Sequence, residues 1–187
     1  MKYTIILFII LVIINIFIRT YLRNKYQNLF YVYLKNKDFK AFDELINKKQ
    51  LRYIFVPFTI EFLKLNRCFI SNNQHLINLQ YQTISKMNLT YKQAQDFYMT
   101  SFNYFLSKEN SEMIEKTLDE INQLRNEEIR KVALMSYNVF CKNSFEYLDE
   151  ILDEYQKASN LEKEKLSPLI CRMYLNKGDK ENAKMYF

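Results

Sequence analysis

A chain of 187 residues with a single glycine and two prolines is poorly equipped to turn back on itself repeatedly. The hairpins of an all-β fold draw on glycine and proline for their special backbone angles. Here only Gly178, Pro57 and Pro168 are on offer. Helices need such residues at their ends alone. Hydrophobic residues make up 49% of the chain and aromatics 16%, enough to fill a core. The composition therefore predicts an all-α fold.

The opening stretch has a separate character. Thr4 to Ile18 is apolar apart from Thr4 and Asn15. With Tyr3 and the turn Arg19–Leu22 added, the helix reaches about 30 Å, the thickness of a bilayer core. Tyr3 and Tyr21 would then sit at the two interfaces, with Lys2 and Arg19 reaching for headgroups. No Ala-x-Ala cleavage signal follows, and a core helix of a globular domain should show a polar stripe. The expectation is an uncleaved transmembrane anchor over 1–22, followed by a helical domain over 23–187. Arg19, Arg23, Lys25, Lys35 and Lys37 flank it with no acid before Asp38, which predicts a single-pass membrane protein with its C-terminal domain in the cytoplasm. Three widely spaced cysteines (Cys68, Cys141, Cys171) fit free thiols, each at a core-facing position, in a reducing compartment.

The net charge of +6 is unevenly distributed. Residues 1–96 hold 14 Lys/Arg against 5 Asp/Glu, whereas residues 97–187 hold 13 against 16. The basic half lies next to the expected anchor, where anionic lipid would attract it. No basic helix or recognised nucleic-acid motif accompanies the charge, so nucleic acid is not an expected partner.

The end of the chain carries an organising pattern. Tyr174 to Ala183 reads as helix, tight turn, helix, with Gly178 closing the first helix in a left-handed cap and Asp179 capping the next. Taking Gly178 as a register mark, similar turns fall at Lys37, Asn72, Glu109 and Asn143, spaced by 35, 37, 34 and 35 residues. Four residues before each mark stand Tyr33, Cys68, Phe105, Val139 and Tyr174. Five after stand Phe42, Ile77, Ile114, Leu148 and Ala183, and nine after stand Ile46, Tyr81, Leu118, Leu152 and Phe187. The last two sets share one face of each second helix, which must bury against the first.

A tyrosine four before the turn, an alanine five after it and a period of about 34 residues resemble the tetratricopeptide repeat. The resemblance implies a solenoid of about five helix pairs; other arrays of antiparallel α-hairpins share the same spacing. The sequence departs from the family where Phe42, Ile77, Ile114 and Leu148 replace its small residue, and where its proline between repeats is missing. Helices are predicted near 3–35, 38–49, 57–71, 73–87, 91–107, 109–124, 126–141, 144–158, 161–177 and 179–187. Ser167-Pro168 falls inside the ninth of these, read either as a cap for a shortened helix or as a kink.

Nothing in the sequence assembles chemistry. His75 is the lone histidine, expected to cap or decorate a helix start, and excludes a paired-histidine metal site. A single glycine excludes glycine-rich phosphate loops. Acidic pairs such as Asp149-Glu150 and Asp153-Glu154 read as solvated helix faces. No catalytic residue, metal or cofactor is therefore expected.

In tetratricopeptide solenoids the leading helix of each pair lines a concave face that holds peptides or helices. Six before each mark the chain has Tyr31, Asn66, Asn103, Tyr137 and Arg172, and thirteen before it has Asn24, Thr59, Asp96, Arg130 and Lys165. The resemblance thus implies a partner-binding row of Tyr31, Asn66, Asn103, Tyr137 and Arg172, with Arg130 and Lys165 on the same helix face. The family's Lys/Asn/Arg set for gripping a terminal carboxylate is not found. The functional expectation is a membrane-anchored scaffold or adaptor that binds a protein or peptide on that face. The alternative is a regulatory module that senses lipid through the basic half.

Overall fold

The computed structural model describes the backbone of residues 2–187 and the side chains of residue 6 and of residues 8–187. Among the described residues it is all-α, with eleven helices and no strand: α1 (Lys2–Lys35), α2 (Phe39–Ile46), α3 (Leu51–Ile54), α4 (Pro57–Ser71), α5 (Gln74–Ser85), α6 (Tyr91–Ser107), α7 (Ser111–Asn122), α8 (Glu127–Cys141), α9 (Leu148–Lys157), α10 (Asn160–Lys177) and α11 (Lys180–Lys184). They form two compact units, Met1–Leu89 and Thr90–Phe187.

The five marks are the residues with positive φ: Lys37 at 56°, Asn72 at 52°, Glu109 at 52°, Asn143 at 53° and Gly178 at 85°. An L-residue there costs about 1–2 kcal/mol, so something local must hold it. At Lys37, Glu109 and Gly178 that is a pair of reverse hydrogen bonds. Asp38 N donates to Tyr33 O (2.9 Å), Asn110 N to Phe105 O (3.1 Å) and Asp179 N to Tyr174 O (2.9 Å). The mark's own N–H goes to Leu34 O, Leu106 O or Leu175 O. Carbonyls left over at the helix end are thereby satisfied. The next residue starts the following helix at once. Asp38, Asn73, Asn110 and Asp179 accept from the N–H three positions on, at 3.0–3.2 Å. Two residues thus stop one helix and start another. Five positions beyond each mark, Phe42, Ile77, Ile114, Leu148 and Ala183 are all buried, at 4% exposure or less.

The fourth turn deviates. After Asn143 the chain spends four residues, Ser144 to Tyr147, before α9 begins, and Ser144 Oγ accepts from Glu146 N instead of capping a helix. Asn176 on α10 holds this turn. Its Nδ2 donates to Val139 O (2.8 Å) and Ser144 O (2.9 Å).

In the first unit α1 packs on α2, α3 and α4, and α4 on α5. Its core gathers Phe30, Phe42, Leu45, Ile46, Leu51, Ile54, Phe55 and Ile60, with Phe30 lying 5.1 Å from the Phe42 ring and 6.3 Å from that of Phe55. The short helix α3, absent from the expected helices, contributes Leu51 and Ile54 and is tied to α1 by Gln50 Nε2 donating to Tyr26 Oη (2.8 Å). Arg67 on α4 bridges to Asp43 on α2 at 2.7 Å and lies over the Phe39 ring. In the second unit the leading helices α6, α8 and α10 pack in succession, α7 and α9 bracing them. Met135, Val139, Leu148, Ile151, Ile170 and Met173 form one core cluster there.

Several expectations need correction. Among the described residues no helix is long and apolar enough to cross a membrane. The described apolar run Ile6–Ile18 reaches only about 20 Å, and Arg19, Arg23 and Lys25 follow within the same helix. The transmembrane helix over 1–22, the single-pass membrane localisation and the orientation drawn from it are therefore set aside. The side chains of Lys2 and Tyr3, assigned to a membrane interface, lie outside the described residues. From Leu22 onward α1 instead packs Leu22, Tyr26, Leu29, Tyr33 and Leu34 on the first unit's core. Ser167 is not a cap: α10 runs through Pro168, and Ser159 caps it with Glu162 in a reciprocal box. The proline removes an N–H from Glu164 O, but Glu164 is exposed to water, which can take its place. Cys68 and Cys171 are buried as expected, whereas Cys141 is exposed. Phe187, expected on a buried face, is fully exposed.

Candidate functional site: clefts between leading helices

Two leading helices laid side by side leave a furrow wherever the side chains between them are too short to fill it. In the first unit such a cleft, about 420 Å³, lies between α1 and α4 and is lined by Tyr31, Leu34, Lys35, Asn66 and Ile70. In the second unit a cleft of about 360 Å³ between α8 and α10 is lined by Phe140, Pro168, Cys171, Arg172 and Leu175, with Tyr186 and Phe187. Counted from the marks, both clefts use the same rows. Tyr31, Asn66 and Arg172 stand six before, and Leu34, Phe140 and Leu175 stand three before. Residues spaced by three on a helix lie on one face, which puts the two rows along the same side of a leading helix.

The lining is apolar with a few polar groups. Tyr31 is 66% exposed, Leu175 46%, Ile70 42% and Phe140 39%. Such side chains have water to lose on contact, at about 25 cal/mol per Å² of apolar surface covered. Asn66 spends its Nδ2 on Phe62 O (3.0 Å) within its own helix, which leaves the Oδ1 as an acceptor. Arg172 Nη2 donates to Asn143 Oδ1 (3.2 Å), so the guanidinium is held at the mark of the preceding turn.

The expected partner-binding row therefore divides. Tyr31 and Asn66 meet in one cleft, and Arg172 lines the other. Asn103 is exposed on α6. Tyr137, half-buried, donates its hydroxyl to Glu115 Oε1 on α7 (3.3 Å) and carries the Lys142 ammonium over its ring at 5.3 Å. Arg130 lies 3.8 Å from Glu127 on its own helix. Lys165 is exposed beside a third hollow, about 440 Å³, formed with Glu154, Lys157, Ala158, Glu162 and Leu166.

Ile70, Leu34, Phe140 and Leu175 lie outside the expected row. A signal was present for the last three: the residue three before each mark is Leu34, Phe69, Leu106, Phe140 or Leu175, apolar at all five, whereas Ile70 stands two before its mark. The apolar row beside the polar one supplies as many lining residues, Leu34, Phe140 and Leu175 against Tyr31, Asn66 and Arg172.

His75 is exposed on the first turn of α5, whose cap is Asn73. Among the described residues no group of three or more His, Cys, Asp or Glu could hold a metal ion. No protein-family model matches the chain, and neither a curated protein nor a solved structure does.

Proposed function

We propose that this chain is a non-catalytic binding domain of tetratricopeptide-like helix pairs, which captures a protein or peptide partner along the furrows between its leading helices. The observation that carries this reading is the recurrence of one lining, a polar or aromatic residue six before the mark and an aliphatic or aromatic one three before, in a cleft of each unit. Five left-handed turn residues at near-equal intervals support the repeat type. The partner segment this lining suits presents aliphatic or aromatic anchors, with backbone groups for Asn66 to meet.

Panning a random peptide library against the 187-residue chain tests it. Recovered peptides are expected to carry apolar anchors and to bind Tyr31→Ser/Ile70→Ser or Phe140→Ser/Leu175→Ser variants about tenfold or more weakly, at unchanged helicity. Peptides that bind both variants as well as the parent would remove the furrows from the reading.

A further inference from the structure

We propose that the first unit holds a second, small-molecule site: a cleft at the junction of α2, α3 and α4 that takes an amphiphilic anion, a carboxylate or phosphate head on a short apolar stem. The cleft measures about 330 Å³ and is lined by Ile46, Asn47, Arg52, Phe55, Pro57, Ile60, Glu61 and Lys64. It is distinct from the furrows. At about 100° per residue, Pro57, Ile60, Glu61 and Lys64 occupy the side of α4 opposite that of Asn66 and Ile70.

The floor is apolar and rigid. Ile46, Phe55 and Ile60 are buried members of the first unit's core, and Pro57 fixes the start of α4 beside them. The rim is charged, and its pairing decides the sign of the ligand. Glu61 Oε1 accepts from Lys64 Nζ (2.9 Å), while Gln80 Nε2 donates to Glu61 Oε2 (2.7 Å) and to its backbone oxygen (3.1 Å). Burial pushes the Glu61 carboxyl up, but the hydrogen bonds from Lys64 and Gln80 and the charges of Lys64 and Arg52 outweigh it and bring the group below its usual value. Glu61 is therefore ionised, satisfied and matched by Lys64.

Arg52 is left over. Its side chain is exposed at the rim and makes no hydrogen bond or ion pair among the described residues. Lys48 and Lys49, in the connection just before α3, add to the positive field. Glu61 offsets only one of the two cations beside it, so the cleft keeps a net positive charge above an apolar floor and suits a negatively charged head on an apolar body. A bare anion would leave the floor wet, and a cation would meet Arg52.

Calorimetric titration of the 187-residue chain with octanoate, octyl phosphate, octanol, octylammonium and inorganic phosphate, all kept below micelle formation, tests the assignment. Octanoate or octyl phosphate is expected to saturate at one per chain, and their relative affinity identifies the preferred head. Octanol should bind about tenfold or more weakly, and octylammonium and inorganic phosphate should not saturate. Arg52→Gln should weaken the favoured anion about tenfold and leave octanol unchanged. Equal affinity for octanol and octanoate, no saturation by either anion, or an Arg52→Gln variant that binds like the parent would each overturn the proposal.

Discussion

Glu109 sits at φ 52° with its side chain exposed, a conformation that glycine reaches without cost and glutamate does not. Glu109→Gly should relieve about 1–2 kcal/mol of backbone strain. Glycine gives back about 0.5–1 kcal/mol through the greater freedom of the unfolded chain. The net is a stabilisation of about 0.5–1 kcal/mol, or about 2–8 °C in the melting of a unit this size. Gly178→Ala should move the second unit the other way by a similar amount. No atom lies within 4 Å of a Cβ placed there, so the φ of 85° is the whole penalty. Urea unfolding followed by far-ultraviolet circular dichroism reads both. Glu109→Gln controls for the lost charge and should be nearly neutral. Gln82→Gly, exposed inside α5, shows what glycine does in a helix interior, a loss of about 0.5 kcal/mol. A Glu109→Gly variant that loses stability as Gln82→Gly does would mean that position 109 is helical and that the turn is misplaced.

Three further outcomes follow from the packing. Asn176→Ala strips the Val139 and Ser144 carbonyls of their donor and should cost about 1–3 kcal/mol in the second unit by the same denaturation. Phe30→Ala, which empties the centre of the first unit's aromatic cluster, should cost about 3–5 kcal/mol by the same denaturation. The hydrogen bonds from Asn182 hold the Asp179 carboxyl below its ordinary value, as those from Ser159 do for Glu162. Folded values below unfolded ones mean that the unfolded chain takes up more protons in acid. This stabilisation is complete above the ordinary carboxyl range and fades as pH falls through that range toward the depressed folded values. Unfolding midpoints at pH 7 and pH 3 should therefore converge partly in Asp179→Asn, which still caps α11 but cannot titrate.

The helix pattern was legible because its determinants are local. A mark, a capping residue and a buried position five further on all lie within one turn and its flanks, so Lys37-Asp38-Phe42 can be read without knowing what Phe42 touches. At the fourth turn the mark Asn143 was legible but the start of the next helix, expected at 144 and found at Leu148, was not, because Asn176, 32 residues beyond Ser144, holds the turn. The short helix α3 had four residues and no side-chain cap to announce it. The partner row was only partly legible for the same reason. Tyr137 faces Glu115, 22 residues away, and nothing at position 137 states that in advance. The apolar run misled because it was extended across Arg19 to reach the thickness of a bilayer, whereas its described part, Ile6–Ile18, measures only about 20 Å before Arg19, Arg23 and Lys25 interrupt the rod.

Hairpins that stop and restart in two residues have no slack. An affinity tag, a fluorophore loop or an inserted domain placed at Lys37, Glu109 or Gly178 would have to break a cap and a reverse hydrogen bond together, parting two helices that depend on each other. The stretch from Lys86 to Thr90 is more permissive, joining the two units with four residues to spare before the α6 cap. Anyone wishing to graft, split or permute this chain has a natural splice point there.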